Sequence, residues 1–191
     1  MEFPAHKAPP NCVTATIDGA ARGNPGPAAY GVVFADAGGK GLTHLSGRLG
    51  RATNNVAEYR ALLVALTYAR TEGWRALRVR TDSELLAKQL LGDYKVKSAD
   101  LKPLYDEAQR LIASFIYFAI EAVPRKRTRA ADKLANAALD GRAVKAAPGP
   151  QALAAGRQSV RAIYKGGVLR PLQPLDLADG DEVTVFIRRK S

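Results

Sequence analysis

The chain has 191 residues, 47% of them hydrophobic, which excludes a disordered polymer and provides for one full domain plus a small appendage. Its formal net charge is +11, which points to a polyanionic partner, although a merely solubilising basic surface would give the same number. No apolar run reaches the roughly 18 residues of a membrane span, and the opening Met-Glu-Phe-Pro-Ala-His has no apolar signal core. No membrane association and no export are therefore expected.

The charge is spread out. Residues 1–140 hold 20 basic and 14 acidic side chains, and residues 160–191 hold six and four. The single cysteine, Cys12, cannot close an internal disulfide, so a cytoplasmic setting is expected. Two histidines, His6 and His44, and one cysteine cannot build a zinc site of the usual kind. Any metal should be hard and oxygen-bound.

Residues 1–11 read as a flexible lead. Val13 to Ile17 alternates around Thr14 and Thr16, as a half-buried strand does. Ala28 to Ala35 is the next strand, Ala37 to Gly41 a turn, and Leu42 to Leu49 a third strand, giving an antiparallel meander. Asn55 to Thr71 is a helix with Tyr59, Leu62, Leu63 and Leu66 on one stripe, closed by Gly73. Leu77 to Thr81 is a strand, Ser83 to Leu91 a helix stopped by Gly92, and Leu101 to Ser114 a helix with Leu104, Ala108, Leu111 and Ile112 inward. Phe115 to Val123 is a fifth strand and Thr128 to Leu139 a last helix. The order βββαβααβα predicts an α/β fold: a mixed five-stranded sheet with helices on both faces. Residues 141–158, rich in Ala, Gly and Pro, read as a linker. A small β segment follows, with strands at Val160 to Tyr164, Val168 to Leu172 and Glu182 to Arg188.

Four carboxylates stand where elements begin or end: Asp18, Glu58, Asp82 and Asp132. Each has a structural reading as well. Asp18-Gly19 is a common hairpin turn, yet the next strand's Tyr30 comes too late for a tight one. Asn55 with Glu58 three residues on makes a capping box. Asp82 sits where a helix cap is expected. Asp132 lies in a first helical turn, where the dipole favours an anion. Together, however, such element ends can converge on one edge of a mixed sheet. Clustered carboxylates repel unless cations neutralise them. Two Mg²⁺ ions about 3.5–4 Å apart would do so and would suit phosphodiester cleavage.

The segments Asp18-Gly-Ala-Ala-Arg-Gly23-Asn24-Pro-Gly26, Thr53-Asn54-Asn55-Val-Ala-Glu58 and Thr81-Asp82-Ser83 resemble, in order and spacing, the motifs of type 1 ribonuclease H. Ala131-Asp132-Lys-Leu-Ala-Asn136 looks like the fourth acidic motif, so the resemblance covers residues 12–140. It implies a ribonuclease H-like domain that cuts the RNA strand of an RNA–DNA hybrid and leaves a 5′-phosphate and a 3′-hydroxyl. It also implies a site for two Mg²⁺, with Mn²⁺ as a substitute. By resemblance, Asp18 bridges both ions, Glu58 and Asp82 hold the one on the leaving-group side, and Asp132 helps hold the one that activates water. The substrate groove is implied to include Gly23, Asn24, Asn54 and Asn55. An amide both donates and accepts, which suits the 2′-hydroxyl that distinguishes RNA from DNA.

Two departures stand out. Val123-Pro-Arg125-Lys-Arg-Thr-Arg129 lacks the histidine that many members carry before the fourth acid, and so looks closer to an archaeal-like branch; Arg125 is expected to take over part of that role. The segment Gly92 to Lys97 is shorter than the family's basic handle. The tail, residues 159–191, resembles a group of small β domains described as antitoxin-like and carries no catalytic motif. Its apolar strands are expected to bury themselves against the same chain or against a second copy, making a homodimer. Two further readings compete with the nuclease: a ribonuclease H-like protein that binds nucleic acid without cutting it, and a tail-driven interaction module.

Overall fold

The structure is a computed structural model that describes residues 8–142, 162–165 and 168–172. The chain divides into two compact units, Met1–Ala154 and Ala155–Ser191.

In the first unit, five strands form one sheet in the order β3-β2-β1-β4-β5: β1 (Val13–Ala21), β2 (Gly26–Ala35), β3 (Gly41–Ala52), β4 (Ala76–Thr81) and β5 (Tyr117–Ala122). β1, β2 and β3 pair antiparallel, whereas β1–β4 and β4–β5 are parallel. The helices are α1 (Asn54–Thr71), α2 (Glu84–Leu91), α3 (Lys102–Ile112) and α4 (Arg129–Leu139). This is the mixed α/β architecture expected from the meander followed by alternating elements.

Side-chain alternation sorts the two faces of the sheet. Ala15 pairs with Phe34 and Ile17 with Val32, all buried. Against that face lies α1, whose Ala57, Ala61, Ala65 and Ala69 recur at i+4 and are fully buried. So regular a stripe of small residues lets the helix axis approach the sheet closely. Leu62, Leu66, Leu77, Val79, Leu104 and Ala108 complete the core. Phe34 stacks on Tyr68 with ring centroids 5.0 Å apart and meets Trp74 edge-on at 5.2 Å.

Two glycines set how near the helices come to Asp18. A Cβ on Gly19 would lie 2.2 Å from the Glu58 backbone nitrogen, so only glycine lets the start of α1 touch β1 there. A Cβ on Gly31 would lie 2.1 Å from the Ala131 carbonyl oxygen of α4. Gly31 is the register partner of Asp18, so α4 crosses the other face beside that carboxylate. The far end of α4 is tied to β3 by Arg48, whose guanidinium donates to the Ala138 and Leu139 carbonyls at 2.9 and 3.1 Å.

Several expectations shift. β1 runs on past Ile17 to Ala21, because pairing with β2 continues through Asp18↔Gly31 to Ala21↔Ala28. Asp18-Gly19 is thus mid-strand; the hairpin turn lies at Arg22 to Pro25, closed by Arg22 N–H donating to the Pro27 carbonyl at 2.8 Å. β3 reaches Ala52 for the same reason of continued pairing. β5 starts later than Phe115, since Ser114 and Phe115 donate to the Leu111 and Ile112 carbonyls in a turn that closes α3. In the second unit β6 (Ala162–Lys165) and β7 (Val168–Pro171) pair antiparallel. Most of the expected linker and the strand expected at Glu182 to Arg188 lie outside the described residues.

Candidate metal centre

β4 stops pairing with β1 at Thr16↔Arg80, two residues before Asp18. That open corner is where the acids gather. Asp18, Glu58 and Asp82 each offer a carboxylate oxygen, and these atoms all lie within 4.8 Å of one another.

The cap readings of two acids do not hold. The N-cap of α1 is Thr53, whose hydroxyl accepts from Val56 N–H at 3.3 Å, so Glu58 sits a turn deeper than a capping-box glutamate. The cap of α2 is Ser83, which accepts from Leu86 N–H at 3.3 Å, and this leaves the Asp82 carboxylate for the cluster. Asp132 does lie in the first turn of α4, as the dipole reading had it. It stands outside the close trio and accepts from the Arg125 guanidinium at 2.9 Å.

The trio is electrostatically unfavourable by itself. Asp18 and Glu58 are each only 4% exposed. Burial, then the charges of Asp82 and Asp132, push the Asp18 carboxyl up to about 7, with Arg125 opposing. Burial, then the charges of Asp18 and Asp82, push Glu58 up to about 9, with hydrogen bonds from the Gly19 amide and the Thr81 hydroxyl opposing. Asp18 Oδ2 and Glu58 Oε2 are buried with no hydrogen-bond partner. Buried, unpartnered, acceptor-only oxygens close to a third carboxylate are the donor set a hard divalent cation requires. The residues present therefore fit such an ion.

The other expected residues are spread around this corner. Gly23 takes φ +96° in the β1–β2 turn. Asn24 Oδ1 accepts from the Asn54 backbone N–H at 3.0 Å, so the turn caps α1 and is fixed to it. Asn24, Asn54 and Asn55 are exposed, as is Arg125 in the short 3₁₀ turn before α4. Sequence reasoning missed Gly31 and Thr81 as determinants of the site. An Asp-Gly pairing across a hairpin register would have flagged Gly31 only once the register was known.

With this geometry in hand, the class can be stated. Residues 16–138 match the family described as "Reverse transcriptase-like", so the chain belongs to it. Within that class the catalytic unit belongs to type 1 ribonuclease H. It is 43% identical to the crystal structure of RNase H1 from the halophilic archaeon Halobacterium salinarum, with TM-score 0.67, covering 68% of this chain and 98% of that one. The N-terminal RNase H domain of a Mycobacterium tuberculosis protein, solved fused to maltose binding protein, is 44% identical, with TM-score 0.67, over 69% of this chain and 96% of that one. LC11-RNase H1, solved in complex with an RNA/DNA hybrid, is 38% identical at TM-score 0.65, over 68% and 97%. The chain spans 37% of the length of the full mycobacterial relative, a bifunctional protein, and 64% of the Halobacterium ribonuclease HI. Residues 157–191 match a second family, described as "AF2212-like". That description names no activity, and the antitoxin-like reading of the tail gains nothing from it. Among the described residues no helix is long and apolar enough to cross a membrane.

Proposed function

We propose that this chain is a metal-dependent endoribonuclease that hydrolyses the RNA strand of RNA–DNA hybrids and leaves 5′-phosphate and 3′-hydroxyl ends. The observation that carries the reading is the trio Asp18, Glu58 and Asp82, with oxygens within 4.8 Å and two of them buried without a partner. Asp18, central and on the strand, would hold both of two Mg²⁺ ions; Glu58 and Asp82 would hold one, and Asp132 would help hold the other. Mn²⁺ would be accepted in their place. When bound, the ions supply the positive charge that lowers the pKa of an attacking water and stabilises a departing oxygen.

The chain's own residues do the rest. The buried trio keeps its oxygens in place without side-chain rearrangement, since burial and the surrounding backbone fix their rotamers. Asn24, anchored through Oδ1 to α1, presents its amide donor to the minor groove, and Asn54 and Asn55 flank it. Gly23 lets a strand approach the turn closely. Arg125, on an exposed turn, offers a charge-assisted contact to phosphate near Asp132. The net charge of +11 aids association with a polyanion and makes it salt-dependent. A binder that does not cut would have no need for three mutually repelling buried acids, which favours the enzyme over that alternative.

The test is strand choice. With each strand of a hybrid labelled separately, the RNA strand should be cut in Mg²⁺, its products should carry extendable 3′-hydroxyls, and duplex DNA should survive. Comparable cleavage of duplex DNA would refute the reading. For the tail, our proposal is a self-association module that adds basic surface. Light scattering on the whole chain should then show a dimer, and a strict monomer at micromolar concentration would remove that proposal.

A further inference from the structure

We propose that Thr81 is a positioning residue of the acidic centre, a hydroxyl that ties Glu58 to the Asp82 corner. This rests on the reading of the site as a metal-dependent nuclease. Thr81 is the last residue of β4 and is fully buried. Leu77 and Val79 precede it on the same face of the strand, and both are apolar core residues. The change to a hydroxyl falls where the strand reaches the acids. A packing role alone would be served by valine, which has the same shape.

The hydroxyl has two directions to satisfy. Its oxygen accepts from the Ser83 backbone N–H at 3.0 Å, closing the corner after β4. Ser83 in turn caps α2 through Leu86 N–H. Asp82 is thus pinned between two hydrogen bonds. With its lone pair engaged by Ser83, the Thr81 proton is donated to the Glu58 carboxylate, which arrives from α1. That donor, with the Gly19 amide, holds Glu58 while its Oε2 stays unpaired for a cation. Other buried polar groups nearby serve other ends: Gln89 accepts from the Tyr59 hydroxyl at 2.8 Å, and the Thr128 hydroxyl donates to the Arg125 carbonyl at 3.0 Å. Thr81 therefore links two elements that deliver ligands, and without it each acid keeps its charge but loses its fixed place.

The experiment compares Thr81→Val, Thr81→Ser and Thr81→Cys in the full chain. Mn²⁺ is titrated calorimetrically into metal-free protein, and the Mg²⁺ dependence of hybrid cleavage is measured beside it. Thr81→Val should bind Mn²⁺ about tenfold more weakly, corresponding to about 1.4 kcal/mol. It should need a similarly higher Mg²⁺ concentration for half-maximal cleavage, with a smaller loss at saturating Mg²⁺. Thr81→Ser should restore both to within about twofold, because the donor is kept. Thr81→Cys, with a weaker donor, should fall between them and supplies the comparison if the valine variant folds poorly. Unchanged Mn²⁺ affinity in Thr81→Val, or a serine variant as weak as valine, would overturn the role. A wild-type protein that binds no Mn²⁺ would instead overturn the nuclease reading itself.

Discussion

The close trio and the fourth acid occupy the same corner yet are held by opposite means. Asp18, Glu58 and Asp82 are fixed by a strand centre, a helix interior and a capped strand end, and two of them are buried without partners. Asp132 rides on the start of α4, 23% exposed, with its charge answered by Arg125. A buried like-charged set stores its repulsion in raised pKa values until a cation arrives. An exposed acid with an arginine partner stores little. The first arrangement is built to be rigid and unsatisfied, the second to be satisfied and adjustable.

The largest effects should come from breaking the trio. Asp18→Asn or Glu58→Gln removes a buried ligand and should lower cleavage at least about a thousandfold, about 4 kcal/mol of barrier, while circular dichroism stays native-like. Asp132→Asn should cost only about ten- to a hundredfold, because the remaining three still gather charge at the corner. Equal losses at Asp132 and Asp18 would erase the distinction between them.

The two glycines separate the regions sterically. Gly19→Ala drives a methyl into the Glu58 backbone and should both destabilise the fold by about 1–3 kcal/mol and abolish activity. Gly31→Ala meets the Ala131 carbonyl and displaces α4, so it should lower Tm comparably but leave residual cleavage, as a lesion confined to Asp132 would. Thermal melts paired with hybrid cleavage read both.

A smaller effect concerns pH without metal. Asp18 and Glu58 titrate higher in the folded protein than in the unfolded one, so across the interval from about 4 to about 7, and on to about 9 for Glu58, the folded state holds the extra protons. Stability of the metal-free protein must then fall as pH rises through that interval. Asp18→Asn should flatten the slope and raise stability at neutral pH by about 1–3 kcal/mol, worth about 2–4 °C per kcal/mol for a chain of this size. Asp132→Asn should leave the slope nearly unchanged. Melting curves at pH 5 and pH 8 with a chelator test this; stability that rises with pH would contradict the burial of the trio.

Much of this was legible in the chain. The element order gave the mixed sheet because period-two strands and period-3.6 helices alternate cleanly, and the inward stripe of α3, from Leu104 to Ile112, is buried as read. The four acids were visible through motif spacing. What local signals could not resolve was competition between nearby caps: Asn55 looked like the cap of α1 and Asp82 like that of α2, yet Thr53 and Ser83 do that work. Both candidates in each pair suit a cap chemically, so tertiary pairing decides. The length of β1 was likewise hidden, since Asp18 and Gly19 carry poor strand propensity and are held by register with β2. Gly31 and Thr81 act through contacts between elements distant in sequence, and no local pattern announces those.

The most direct measurement is cleavage of a hybrid labelled in its RNA strand, by wild-type protein and by Asp82→Asn, each with Mg²⁺ and with chelator. Asp82 is the least buried of the trio and the least needed for folding, so its loss reports on the centre rather than on stability. The RNA strand should be cut by wild type in Mg²⁺ alone, and not by Asp82→Asn in either condition. Full Mg²⁺-dependent cleavage by Asp82→Asn, or cleavage by wild type in chelator, would contradict the carboxylate metal centre.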